Sequence, residues 1–527
     1  MTDAGRTEYD HVFYPGHPFA QTHPDRLATI ASLFGMQPAP VGRCRVLELG
    51  CGIGGNLVPM AYQLPDSEFL GIDLSESAIA KGVSNVARLG LTNIELRRAD
   101  IMEVTPAFGR FDYIIAHGVY SWVPPTVRAK MLSIFKQNLN PRGVAYVSYN
   151  AYPGSHFRDL TREMMLHHVQ GMDNPKERIA QGRALLASLA AATADNTAYG
   201  VVIRDQLERV KATPDEVIYH DDLNAAAEAF YVGQVAADAA RAGLQYISEA
   251  TFAHTSLGGH AEPVMEVIRQ IPASEFVQRE QYLDFFVGRG FRETLLCHGD
   301  IALDRDVGPQ RLKRYHVVAF TQPEVAEAEP AAPGVMSFKT EKGSAIATDH
   351  RLSKAALLHL SENWPQAVGF PELLERSLAR LGSAAAPIRA NLDEEVDTLL
   401  DVLFRAVCRN HIELHLYPPR LTTMISERPT ASLLARREAE NATFVTSLRH
   451  ALVRLEDTTV RHFLLLVDGT RNVDALVSDL NAVLAAAQDR ATEGGTTDGA
   501  PPARPEVNRG RVEESLKVLA RLGLLIA

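Results

Sequence analysis

The chain has 527 residues, 46% hydrophobic and 22% charged, with a formal net charge of -11. That length calls for two or more domains, each with a core of its own, and the acidic balance argues against a molecule built to hold nucleic-acid phosphates, although a local basic patch stays open. Four scattered cysteines (Cys44, Cys51, Cys297, Cys408) suit neither a disulfide framework nor a structural zinc site and fit a reducing cytoplasm. With no apolar leader and no run of ~18 apolar residues, membrane insertion is not expected.

Residues 9–26 are rich in aromatics, His and Pro, which suits an ordered, irregular flap better than a tail. Two readings are open for the first 40 residues: packing at a domain edge, or a lid over a bound ligand with Tyr14 near its polar end. Thr22 or Asp25 can cap the helix expected over 27–34.

Strand Arg45 to Leu49 delivers the turn Gly50-Cys51-Gly52-Ile53-Gly54-Gly55-Asn56, where glycines let the backbone approach a ligand closely. Gly50, Gly52 and Gly55 match a dinucleotide fingerprint, with Asp73 near the place of its ribose acid. Three neighbours tip the reading toward S-adenosylmethionine instead. Glu48 stands where a dinucleotide strand stays apolar, and it can brace the loop and face a cationic ligand. Asp73 ends the next strand, placed for both ribose hydroxyls. Asp100 follows strand 93–97, placed for an adenine amine with Ile101 against the ring. Asn56 and Leu74 complete the expected binding set.

Ser75 can cap a helix with Ile79, Val83 and Val86 on one face and Gly90 as its stop. Alternating strands and helices over this stretch give a parallel sheet with its ligand at the carboxyl strand ends. The fourth strand, Phe111 to Ala116, runs into His117-Gly118-Val119-Tyr120-Ser121-Trp122, and Pro124-Pro125 then open a helix. The fifth, Gly143 to Ser148, leads into Tyr149-Asn150-Ala151-Tyr152-Pro153-Gly154-Ser155. Tyr120, Trp122, Tyr149, Asn150 and Tyr152 are expected to converge on a pocket rim.

The motifs Pro18-Phe19-Ala20-Gln21-Thr22-His23-Pro24, Glu48-Leu49-Gly50-Cys51-Gly52, His117-Gly118-Val119-Tyr120-Ser121-Trp122 and Tyr149-Asn150-Ala151-Tyr152-Pro153-Gly154 resemble those of bacterial class I methyltransferases with a methyltransferase regulatory domain. The best-understood members are rickettsial outer-membrane-protein lysine methyltransferases. Gln281 to Phe285 and Phe291 to His298 extend the resemblance, which covers most of the chain. It implies an α/β Rossmann-like methyltransferase core with helical insertions, then a mostly helical C-terminal domain with winged-helix-like units. The expected division is a flap over 1–40, a core over 41–320 with insertions at about 156–228 and 252–290, a linker over 321–335 and a C-terminal domain over 336–527. Members commonly carry Trp after Tyr-Pro-Gly; Ser155 stands here, which is read as widening or repolarising the pocket edge.

In the middle, a helix over 230–242 and strands over 243–250 and 291–297 are expected to complete the sheet, with the insertions shaping the substrate site or a homodimer contact. His167-His168 reads as a helix surface pair. In the last third, helices are expected over 354–360, 371–381, 394–407, 446–455, 473–486 and 512–522, with a short strand over 412–416. Glu413 and its flanking His411 and His415 fall on one strand face without a fourth ligand, so no metal is expected. Disorder signals concentrate in 488–510. The acidic balance favours protein contact over DNA for the winged helices.

The expected activity is methyl transfer from S-adenosylmethionine to a lysine side chain of a protein. Tyr120, Tyr149 and Asn150 would orient the amine, Trp122 would line the rim, and His117 or Tyr152 would help proton loss. His117 is also counted beside the cofactor. Three competing readings are a methyltransferase for a small metabolite or peptide intermediate, a nicotinamide oxidoreductase, and a regulatory protein that only senses cofactor.

Overall fold

A computed structural model of the chain describes residues 16–325, 329–340, 343–493 and 507–526. Tyr14 and the rest of 1–15, part of the expected linker and the centre of the 488–510 stretch lie outside the described residues. The chain divides into two compact units. One holds Gly16 and Arg26–Val307, the other His17–Asp25 and the chain from Gly308 onward.

The first unit is built on β1 (Arg45–Leu49), β2 (Glu68–Asp73), β3 (Ile94–Arg98), β4 (Phe111–Ala116), β5 (Leu139–Ala151), β6 (Leu244–Glu249) and β7 (Phe291–His298). Their order is β3-β2-β1-β4-β5-β7-β6. The first five are parallel, and β7 runs antiparallel between β5 and β6. A two-residue strand, Ala229–Phe230, pairs with the end of β5. β1 and β4 are almost wholly buried, which is why they read as continuous apolar runs: helices cover both faces of a parallel sheet.

Local rules hold at most element ends. Ser75 Oγ accepts from Ala78 N, and Gly90 closes the same helix in the left-handed conformation. Pro125 opens the helix Pro125–Asn138. One detail of the sequence reading is corrected. Val83 is exposed, and Gly82 takes the inward place, because a Cβ there would lie 2.5 Å from Leu96 Cδ1 and 2.7 Å from Ile53 O. Close approach of helix to turn thus selects the smallest residue. Before the helix Pro24–Leu33, Thr22 Oγ1 donates to Phe19 O, and His23 Nδ1 accepts from Asp25 N.

The two stretches between β5 and β7 are mainly helical, with Ser155–His168, Pro175–Ala192 and Ala198–Ala212 in the first and Glu262–Arg269 and Phe276–Val287 in the second. Behind β7 lies a fully buried charge cluster. Arg292 meets Glu249 at 2.5 Å, Glu280 at 3.1 Å and Asp284 at 2.8 Å, and Asp284 also holds Arg289 at 2.5 Å. These bonds anchor the helix Phe276–Val287 to the sheet.

In the second unit, His316–Ala319 pairs antiparallel with Val368–Gly369 and Ile412–His415, beside helices Arg351–Asn363, Phe370–Leu381 and Leu392–Cys408. Asp25 belongs to this unit and accepts from Leu416 N, Tyr417 N and His415 Nδ1. His411 bonds Ser344 Oγ. Further on, helices Leu433–Ala439, Thr458–Leu466, Val473–Glu493 and Arg509–Arg521 surround a hairpin of Phe444–Thr446 and Leu452–Arg454. The expected helix over 446–455 is therefore wrong. His450 adopts a positive φ of 55° in the hairpin loop, and Val445 is buried in the core with Phe463, Leu476 and Leu516. Tertiary burial of a β-branched strand overrides a weak helical period.

Replacing Arg292 by Met strands three buried carboxylates, so the change is expected to cost ~3–5 kcal/mol. Thermal unfolding of the Arg292→Met chain should begin about 10 °C lower. A midpoint within a degree or two of wild type would show that the cluster is not holding the unit together.

Candidate active site

Strand order reverses between β1 and β4, and in such sheets the crevice outside the carboxyl ends of the two flanking strands receives the ligand. The glycine turn leaves β1 at this point, and His117-Gly118 leaves β4. Gly50 N and Cys51 N both donate to Ile72 O, at 2.9 and 3.0 Å, which folds the turn back over the end of β2. Gly50 has φ +74°, and a Cβ there would lie 2.7 Å from Val119 Cγ2. At Gly55 a Cβ would fall 2.4 Å from the carbonyl carbon of Gly16, so Gly16 packs directly on the turn.

Glu48 is 3% exposed. Its Oε1 accepts from Asn56 Nδ2 at 2.7 Å, while Oε2 is buried without a partner. Burial raises its pKa to about 8; the Asn56 hydrogen bond opposes the rise and the nearby Asp73 charge adds to it. An acid here that gains one more donor or a positive charge ionises readily. Asp73 closes the other side of the turn, its Oδ2 accepting from Gly52 N at 2.8 Å and its Oδ1 from Ser75 N at 2.9 Å. Leu74 beside it is half exposed. At the end of β3, Asp100 Oδ1 accepts from Met102 N and Glu103 reaches back to Asp100 N, a capping box that holds Ile101 half-buried.

The residues expected on the rim separate onto two faces of β5. Tyr146, Ser148 and Asn150 alternate along one face: Tyr146 Oη bonds His117 Nδ1 at 2.9 Å, and Ser148 Oγ accepts from Gly118 N at 2.8 Å. The Asn150 backbone N–H donates to Ser121 Oγ, and its side-chain amide bonds no described residue. Burial lowers the His117 pKa to about 4, so the imidazole is neutral near pH 7. Phe291, at the start of β7, packs edge-on to His117 at 6.2 Å.

Tyr149 points the other way. It is fully buried, with Oη 3.0 Å from Thr294 Oγ1, and Thr294 in turn donates to Glu249 of the charge cluster. The expectation of five groups converging on one rim is corrected accordingly, since successive strand side chains face opposite ways. Tyr120 has its ring buried at 6.0 Å from Tyr149 and 5.3 Å from Phe230. Its hydroxyl bonds no described residue, and burial raises its pKa. Trp122 is half-buried in the same short turn. Tyr152 lies past the strand end, donating to Asp159 Oδ2 at 3.2 Å.

Ser155 does not widen the pocket edge. It is buried, and its hydroxyl donates to Gly290 O at 3.1 Å, because Gly154 packs against the backbone of Gly288 to Gly290. Tyr146 and Ser148 were missed in the sequence, although the alternation that places Asn150 also reaches them. Phe291 had no local signal, for it arrives from a strand far along the chain.

The donor set fits a nucleoside ligand with a cationic end: carboxylates end three successive strand–turn junctions, and one buried carboxylate oxygen is unsatisfied beside a turn that only glycines allow. Residues 46–143 match the family described as Methyltransferase domain, 214–298 the one described as Predicted methyltransferase regulatory domain, and 427–524 the one described as PKMT, C-terminal winged helix domain. A protein of Rickettsia prowazekii (strain Madrid E) is 32% identical over 456 residues, covering 85% of this chain and 81% of its own length. Another protein of that organism is 34% identical over 219 residues, covering 41% and 88%. The structure of PKMT2 from Rickettsia typhi in complex with AdoHcy matches with a TM-score of 0.86 at 27% identity, over 98% of this chain and 100% of that one. The chain belongs to the class I S-adenosylmethionine-dependent methyltransferases that carry a methyltransferase regulatory domain and a C-terminal winged helix domain.

Proposed function

We propose that this methyltransferase N-methylates lysine side chains of a protein acceptor. The observation that carries the reading is the likeness to PKMT2 over 98% of the chain, which takes in both units rather than the methyltransferase core alone. The buried Ser155 does not open the pocket edge toward a different kind of acceptor. The acidic balance disfavours nucleic acid as acceptor. The four buried free thiols suit action in the cytoplasm, and the helical stretch between β5 and β6, which exposes Tyr199 and Val201, is proposed as a homodimer contact.

In this reading Glu48, Gly50, Gly52, Asn56, Asp73, Leu74, Asp100, Ile101 and His117 hold S-adenosylmethionine, with Tyr14 from the N-terminal segment. The cofactor supplies an electrophilic methyl group on a sulfonium. Glu48 meets the cationic part with its unsatisfied oxygen, and Asp73 and Asp100 accept from hydroxyl and amine. The acceptor lysine starts near pKa ~10.4 and must arrive as a free amine. Desolvation at the rim pushes that value down, and the Asn150 carbonyl oxygen and Tyr120 hydroxyl are free to orient the amine N–H groups. Tyr149 acts from behind through Thr294, holding the strand end in place. Neutral His117 adds no charge to repel the amine. As a weak base it holds a proton poorly, so the proton leaves by the more open Tyr152 side. Trp122 shields the rim from water.

Labelled methyl transfer into a host lysate tests the reading. Hydrolysis of the protein fraction should return the label as N-methylated lysine; label confined to small molecules or to other residues would overturn it.

Asn150→Ala is expected to lower turnover by about 100-fold and Tyr120→Phe by about tenfold, each with cofactor affinity kept within threefold. Full rate in both variants would remove them from the acceptor site. Glu48 gives a pH signature. Its folded pKa of about 8 lies above the unfolded value of ~4.3, so its ionisation opposes folding increasingly as pH rises between them. Without ligand, Glu48→Gln should melt higher than wild type at pH 8 and alike at pH 4, yet bind S-adenosylhomocysteine at least ~10-fold more weakly by calorimetry. Equal melting at both pH values with unchanged affinity would contradict the assignment.

A further inference from the structure

Past the end of β5, Tyr152 stands in an acidic and aromatic cluster that reaches well beyond the strand end. Asp159 sits in the helix Ser155–His168, just after the turn that follows β5. Its Oδ2 accepts the Tyr152 hydroxyl at 3.2 Å. The arginines on either side are committed elsewhere: Arg158 pairs with Asp221 and Asp222 at 3.5 and 3.0 Å, and Arg162 donates to Asn224 O at 2.5 Å. No ion pair to Asp159 forms among the described residues; Arg162 feels its charge without pairing with it, and the half-buried carboxylate keeps the Tyr152 hydroxyl as its hydrogen-bond donor.

Aromatic faces surround it. The Tyr152 ring stacks on His156 at 4.0 Å and 16° and lies 5.3 Å from Tyr231. Tyr231 touches Phe285 at 6.1 Å, and Phe285 touches Tyr282 at 5.7 Å. Phe285 and Tyr282 are 50% and 38% exposed. A water-exposed aromatic path therefore ends at the carboxylate, and Tyr152 follows the end of β5 two residues after Asn150.

We propose that Asp159 and Tyr152, with the rings of His156 and Tyr231, form a capture site for the cationic amine of the acceptor and the aliphatic chain that bears it. The inference rests on the lysine reading. An ammonium gains both from the carboxylate and from aromatic faces, and a four-carbon stem lies well on rings. A carboxylate acceptor is repelled, and a neutral hydroxyl gains little. Tyr152, donating to Asp159, keeps its oxygen lone pairs for the incoming N–H groups. The amine is thus held as ammonium at this outer cluster and gives its proton to solvent water on the open Tyr152 side as it moves inward, where desolvation favours the neutral form. Asp159 is a positioning and selecting residue, separate from the cofactor set.

The experiment follows labelled methyl transfer into increasing amounts of the host lysate protein fraction, for wild type, Asp159→Asn and Asp159→Glu. Butylammonium chloride serves as competitor and butanol as its uncharged control. In Asp159→Asn, half-saturation and the inhibitory concentration of butylammonium should both rise about tenfold or more. Its maximal rate should stay within about twofold, its butanol response and S-adenosylhomocysteine affinity should not change, and Asp159→Glu should restore most of the effect. Wild-type half-saturation and butylammonium inhibition in an Asp159→Asn enzyme that still places its label on lysine would overturn the proposal alone. Label found on no amine would overturn the lysine reading and this proposal with it.

Discussion

A carboxyl group buried on a central parallel strand, with one oxygen bonded and the other bonded to nothing among the described residues, sets the terms for this molecule. Glu48 holds Asn56 with Oε1 and leaves Oε2 without a partner. Leaving such an atom unmade is costly, and the cost sits where the strand order reverses and the glycine turn begins. The rest of the crevice follows from that position. Asp73 ties the turn to β2, Gly16 packs on it, and His117 leaves β4 alongside.

The acceptor side depends on a second constraint, the two-residue period of β5. One face carries Tyr146, Ser148 and Asn150 toward His117 and Gly118; the other carries Tyr149 into the core with Thr294 behind it. Asn150 keeps its amide uncommitted because its neighbours satisfy the surrounding groups: Ser121 takes its backbone N–H, and Ser148 takes that of Gly118. The charge cluster around Arg292 backs this arrangement from β7. It is joined to Tyr149 through Glu249 and Thr294, and to the Tyr152–Ser155 turn through Arg289, whose carbonyl accepts from Gly154 N. Residues matched by the regulatory-domain family thus back the end of β5.

Between Phe276 and Val287 the same stretch faces both ways. Glu280 and Asp284 point in to Arg292, while Tyr282, Phe285, Phe286 and Val287 stay in water. Phe276 and Leu283 pack inward beside the two acids, so on this helix three exposed aromatic and aliphatic neighbours, Phe285, Phe286 and Val287, stand against the ordinary pattern. The inside is explained by the ion pairs. The outside, continuous through Tyr231 with Tyr152 and Asp159, is explained by a ligand that needs both apolar surface and negative charge.

Local chemistry was enough to read the glycine turn, the acids at positions 48, 73 and 100, the cap at Ser75, the stop at Gly90 and the strand order implied by alternating elements. Each of those signals lies within a few residues of the structure it specifies. The resemblance carried by the His117–Trp122 and Tyr149–Gly154 motifs supplied the family. What the sequence could not settle depends on partners distant along the chain. Val83 faces out because Gly82 meets Leu96; residues 444–454 pair as a hairpin because a core formed by later helices buries Val445; Ser155 is buried because Gly290 comes back beside it. Tyr120 and Asn150 look alike as rim candidates on paper, and only packing shows that one buries its ring and the other leaves its amide free. Burial and hydrogen-bond satisfaction are properties of the assembled chain, so the glycine turn was legible in the sequence and the surroundings of Tyr120, Tyr149 and Asn150 had to wait for the fold.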